Sequence, residues 1–228
     1  MLLDAPIARP MTRSRLLLTA LCLAALAGCA GPSIKTAAPK PEQPLFAGLG
    51  THRYPVTTKN AEAQRYFDQG LILAYGFNHQ EAARSFREAY RLDPDCAMCY
   101  WGEALVLGPN INAPMTPADV PLAYRSLQQA QALAGNASAK EQALISALAR
   151  RYSQSAAANR KALDEAYANA MREVAARFPD DADIAALFAE SLMDLHPWNF
   201  WTLQGNAQPW TPRNYGVRSF HIAPCSSC

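Results

Sequence analysis

The stretch Ala63–Cys96, AQRYFDQGLILAYGFNHQEAARSFREAYRLDPDC, decides the fold. Its 34 residues hold two helical patterns separated by a turn. Gly70 is small where two helices must cross closely. Ala82, Phe86 and Ala89 stand at i, i+4 and i+7 and share one face of the second helix. Gly76-Phe-Asn-His79 supplies the turn. Asp93-Pro94 ends the second helix, because a proline disfavours helical backbone in the residue before it.

The pattern recurs with decay. Tyr100, Ala104 and Leu107 take the first-helix positions of the next unit. A longer turn, Gly108-Pro-Asn-Ile-Asn-Ala-Pro114, follows it. Thr116-Pro117 reads as a cap and a helix-starting proline, and Ala123, Leu127 and Ala130 repeat the spacing of the second helix. A third pair is expected at about Ser138–Tyr152 and Asn159–Phe178, with Met171, Val174 and Pro179 in the places of Phe86, Ala89 and Pro94. A further helix is expected over about Asp181–Leu195, with Ala189 and Leu192 at its close-contact positions. This order resembles the tetratricopeptide repeat (TPR) over residues 61–195, and more loosely over 45–60. The resemblance implies an all-α, right-handed superhelix of three helix pairs plus one unpaired helix. The strings GLGTHRYPVTT, RYFDQGLILAYGFNH and WGEALVLGPNIN also look like a bacterial group of exported TPR proteins, one that brings no biochemical activity with it.

Ahead of the repeat, Met11-Thr-Arg-Ser-Arg15 is a short positive segment and Leu16–Ala27 is apolar apart from Thr19. Twelve residues are too few to span a bilayer, which takes about 20; a positive start and a short apolar run form the export-signal pattern. Its end, Leu26-Ala-Gly-Cys29, resembles the lipobox of bacterial lipoproteins. That resemblance implies cleavage before Cys29, acylation there, and anchoring by several acyl chains. Ala30 stands where an Asp often retains such proteins at the inner membrane, so the implied site is the outer membrane, facing the periplasm. Residues 1–10 fit the signal poorly, and Met11 reads as the true start. Residues 29–44, with Pro32, Pro39, Pro41 and Pro44, read as a semi-extended tether.

Charge and composition exclude other classes. The chain has 21 Lys+Arg against 19 Asp+Glu, and half of it is apolar. That balance offers no basic surface for nucleic acid and does not fit a solvated disordered chain. Removing residues 1–28 takes Arg9, Arg13 and Arg15 against Asp4, so 21 and 19 become 18 and 18.

The end of the chain breaks the pattern. Thr211-Pro212 opens like Thr116-Pro117, but residues 213–228 carry no helical stripe and no acidic residue. The expectation is a change of reading frame near Pro212 or Arg213 and a longer natural protein. A short irregular tail is the other reading.

Several residues are candidates for chemistry. Cys96-Ala-Met-Cys99 leaves three readings open: small residues at a helix junction, a disulfide suited to an exported protein, or a metal or redox pair. Cys225 and Cys228 are too distant for usual zinc-ribbon spacing. Asn78 and His79 occupy one turn and Asn110 and Asn112 the next, and stacked repeats place successive turns on one edge. They form either a shared polar site or ordinary turn chemistry. First helices line the inner face of a repeat superhelix, so Phe67, Met98, Trp101 and Leu105 are expected there, Trp101 foremost as an aromatic anchor. Packing between helices is the alternative for Trp101. Trp198, Phe200, Trp201 and Trp210 form an aromatic loop that either caps the core or grips a ligand.

Together these features describe a lipid-anchored scaffold of the cell envelope that binds a protein or peptide, with no catalysis, cofactor, metal or nucleic acid of its own. An enzyme or metal-binding protein using His79, Asn78, Asn110 and Asn112 is the alternative. A carbohydrate contact through the aromatic loop is a third reading.

Overall fold

The computed structural model describes residues 43–155 and 158–211. The segment read as an export signal, Cys29, residues 213–228 with the expected change of frame, His221, Cys225 and Cys228 lie outside them. The described residues are all-α, with seven helices: α1 Ala61–Tyr75, α2 His79–Leu92, α3 Ala97–Val106, α4 Asp119–Leu133, α5 Ala139–Leu148, α6 Arg160–Arg177 and α7 Ala182–Met193. A short 3-10 turn, Ala134–Asn136, extends α4. Among these residues no helix is long and apolar enough to cross a membrane.

The helix starts follow the polar residues that precede them. The side chains of Asn60, Asn159 and Asp181 each accept a hydrogen bond from the first turn they cap, which satisfies donors that a helix start leaves free. Ser138 and Glu141 cap α5 reciprocally. The fourth helix starts later than its sequence suggests. Asp119, not Pro117, opens it, although the Thr116 hydroxyl still accepts from the Asp119 N–H at 3.3 Å. Cys96 and Cys99 are joined by a disulfide, and Cys96 stands at the N-cap of α3. Of the three readings of that pair, the structure shows the disulfide.

Each helix packs on the next, and α1 also touches α3 and α3 touches α5. The core runs through these contacts, from Phe67 and Phe86 by way of Trp101, Leu144 and Leu148 to Met171 and Phe188. Phe86 is its pivot. A Cβ on Gly70 would lie 2.7 Å from the Phe86 ring, and one on Gly102 only 2.4 Å from it. The ring therefore occupies the volume that two side chains of neighbouring helices would need. Gly70 was legible as a close crossing; its counterpart Gly102 was not.

An extended arm, residues 43–59, precedes α1 and is held mostly through its backbone. Gln69 accepts from the Phe46 N–H at 2.7 Å and donates to the Pro44 carbonyl at 3.0 Å. Gln64 treats the Val56 N–H and the Tyr54 carbonyl the same way, at 3.0 and 2.9 Å. The Tyr66 hydroxyl donates to the Gln43 carbonyl at 2.7 Å. Farther along, the N–H and hydroxyl of Thr57 donate to the two oxygens of Glu141 on α5, each at 2.6 Å. Tyr54 is buried 6.4 Å from the Phe67 ring and beneath the Lys140 ammonium.

Alanine normally stabilises a helix over glycine by about 1 kcal/mol. At position 102 the sign is expected to reverse. Gly102→Ala forces the Phe86 ring aside, and overpacking costs about 1–3 kcal/mol. Urea unfolding that shows Gly102→Ala as stable as the parent chain would disprove the clamp.

Candidate functional site

The site grows from the turn between α1 and α2. Phe77 sits there at φ 57°, left-handed backbone that a bulky residue rarely adopts, with its ring exposed. This geometry delivers His79 to the start of α2. Its Nδ1 lies 3.2 Å from the Val106 carbonyl at the end of α3. A carbonyl only accepts, so Nδ1 carries the proton and Nε2 keeps its lone pair. Nε2 is buried and has no hydrogen-bond partner. Burial lowers the His79 pKa, which keeps the ring neutral.

Beside it lies a buried ionic group centred on Arg151, whose side chain is 3% exposed. Its Nη2 donates to Asp194 at 2.6 Å and to the Pro109 carbonyl at 3.0 Å. Its Nε donates to Asp164 at 3.2 Å, and its guanidinium lies 4.7 Å from the centre of the Tyr167 ring. Arg160 pairs with the same Asp164 at 2.9 Å. Tyr152, the next residue along the chain, donates its hydroxyl to the Ala104 carbonyl at 2.5 Å. A Cβ at position 108 would lie 2.4 Å from that oxygen, which is why the Gly108-Pro109 turn begins with glycine. The second oxygen of Asp194 is buried without a partner. Burial pushes the Asp194 carboxyl up to about 6 against the opposing pull of Arg151, and raises Glu190 as well. Ala74, Tyr75, His79, Leu105, Leu187 and Glu190 are among the residues around a cavity of about 10 Å³.

The asparagines of the second turn are not part of this group. The Asn110 side chain accepts from the N–H groups of Asn112 and Ala113, at 2.9 and 3.1 Å, within its own turn. Asn78 caps nothing with its side chain and is exposed. Of the two readings left open for these asparagines, turn chemistry is the one Asn110 shows, and α7 supplies Glu190 beside His79. The inner-face expectation is corrected. Phe67, Met98, Trp101 and Leu105 are all buried. Tyr54 of the arm packs on Phe67, α7 brings Leu187 to the cavity that Leu105 lines, and the Trp101 indole donates to the Leu144 carbonyl at 3.3 Å.

The aromatic loop does not cap the core with its first two indoles. Trp198 is 75% exposed, Trp201 63%, and Leu203 fully so. Trp198 has φ 60°. The loop is ordered by its own bonds: Trp201 bridges to Ala207, and Trp210 stacks on His196 at 4.5 Å and donates to the Asn199 carbonyl at 2.6 Å.

Among the described residues no three His, Cys, Asp or Glu side chains are placed to hold a metal ion. No family model, curated protein or solved structure matches the chain. Sequence reasoning missed Arg151, Glu190 and Asp194. The available signal was Glu190 and Asp194 at i, i+4, one in the last turn of α7 and one at its C-cap.

The raised Asp194 pKa sets a pH dependence. The folded state holds this proton more tightly than the unfolded chain, so the contribution is present at low pH and is lost as pH rises through about 6. The stability of the parent chain relative to Asp194→Asn is expected to fall by about 2 kcal/mol between pH 4 and 7. Denaturant unfolding of both proteins at each pH measures this, and a constant difference would refute it.

Proposed function

We propose that this chain is a TPR-like lipoprotein of the bacterial cell envelope, anchored through Cys29 at the outer membrane and facing the periplasm, that binds a protein partner without catalysing a reaction. The contacts of each helix with the next, and of α1 with α3 and α3 with α5, support the helix-pair reading. Tyr54 of the arm packs on Phe67, and Leu187 of α7 shares a cavity with Leu105, on the face where a peptide was first expected. The partner surface in this reading is therefore the aromatic loop, and the exposure of Trp198, Trp201 and Leu203 carries it. Residues 195–211 hold no Asp, Glu, Lys or Arg, and tryptophan is enriched among the residues that carry most of the binding energy in protein interfaces.

The polar reading of His79 keeps one supporting observation, the unpartnered Nε2. Its expected companions change from Asn110 and Asn112 to Glu190 and Asp194.

The scaffold is tested in cells with a photo-crosslinking residue at position 203 and a control at the exposed position 165. Discrete envelope proteins are expected to crosslink from 203 alone, and Trp198→Ala/Trp201→Ala is expected to abolish them while unfolding stability changes by less than about 0.5 kcal/mol. Equal crosslinking from both positions, or no effect of the double substitution, would overturn the loop as the partner surface. Release of Cys29→Ala from the membrane fraction tests the anchor separately.

A further inference from the structure

The groove between α5 and α6 has a volume of about 400 Å³, within the range of pockets that hold small molecules. Small side chains make the room. Ala147 and Val174 are its buried lining, and Ala143 and Ala170 are half-buried beside them. Helix α6 runs back along α5, since Arg151 meets Asp164 early in α6 and Lys140 meets Asp181 just beyond its end. Arg150 therefore stands towards one end of the groove and Arg177 towards the other. The lining runs from Ala139 to Arg150 on α5 and from Ala170 to Arg177 on α6, about 16 and 10 Å at the helical rise.

The charges of this groove are unspent. Among the described residues Arg150, Glu173 and Arg177 form no ion pair. The Arg177 guanidinium lies 5.3 Å from the centre of the Phe178 ring, a contact made through its face, so its N–H donors stay free in the plane. Gln142 donates to the Ala137 carbonyl at 2.8 Å and keeps its side-chain oxygen. Ser146 lines the groove beside it.

Charge and length select the ligand. Two guanidiniums against one carboxylate leave one positive charge in excess. The guanidiniums address opposite ends, so a compact anion meets only one of them. Each matches a carboxylate through two parallel hydrogen bonds. Glu173 is one turn from Arg177 and calls for a cation at that same end. A molecule with a carboxylate at each end and an ammonium beside one of them answers all three groups. An extended peptide of three residues spans about 10 Å, and one that begins with an acidic residue has this layout. Gln142 and Ser146 are amide partners along its length.

We propose that this groove binds a short free peptide whose first residue is acidic. Arg177 takes the first side chain, Glu173 the terminal ammonium and Arg150 the terminal carboxylate. The site shares no residue with the aromatic loop, so either can fail without the other.

Calorimetric titration of the full-length chain at pH 7.5 uses glutamyl-alanyl-alanine, its C-terminal amide, alanyl-alanyl-alanine and lysyl-alanyl-alanine. The first is expected to bind about tenfold tighter than the amide or the alanyl peptide, and the lysyl peptide not to bind. Arg150→Gln is expected to make the acid and its amide bind alike. Arg177→Gln is expected to make the glutamyl and alanyl peptides bind alike. Arg150 and Arg177 are exposed, so both variants are expected to keep the parent Tm, and a merely structural arginine would not sort the peptides in this way. No binding of glutamyl-alanyl-alanine, equal binding of all four peptides, or unchanged preferences in both variants overturns the proposal.

Discussion

The Phe86 ring fixes how the first three helices meet. It fills the space left by Gly70 on α1 and Gly102 on α3 and meets Phe67 edge-on at 5.4 Å. Because no other side chain fits there, α2 has one register against both neighbours. That register brings the turn ahead of α2 against the end of α3, where His79 reaches the Val106 carbonyl. The polar group near α7 is thus positioned by a purely apolar constraint in the adjoining core.

A second consequence concerns the face made by α1, α3 and α5. In an open stack it would be solvated and would need polar residues. Here the arm and α7 close over parts of it, and α3 is buried along its whole length from Ala97 to Val106. A helix that is apolar all round is an interior helix. Glu103, its one charge, pairs with Arg87 at 2.6 Å and accepts a hydrogen bond from the Ser126 hydroxyl. Trp101 belongs to that packing and serves no groove.

What was legible in the sequence was local. The stop at Asp93-Pro94 and the 4-then-3 spacing of small and large residues act within one or two turns of helix, so periodicity and turn chemistry reveal them. Gly102 escaped because its partner Phe86 lies on a different helix. The Arg151–Asp194 pair escaped because 43 residues separate its members, and nothing in the pattern around either one names the other. The inner face was misjudged because a repeat pattern describes each helix pair and is silent about a preceding arm or a folded-back α7.

The arm also has a mechanical side. Gln64, Gln69 and Tyr66 grip its backbone, and Thr57 is tied to Glu141 on α5. A pull on the chain ahead of Gln43 is met first by the bonds around Gln43, Pro44 and Phe46. The glycines at 48 and 50, both at positive φ, form a compliant link before the load reaches Tyr54. Bonds so arranged yield one group at a time, and the helices behind them feel the force only after the slack is spent. With that order of bonds, a pull from upstream would break the arm's own contacts before it reached the helices.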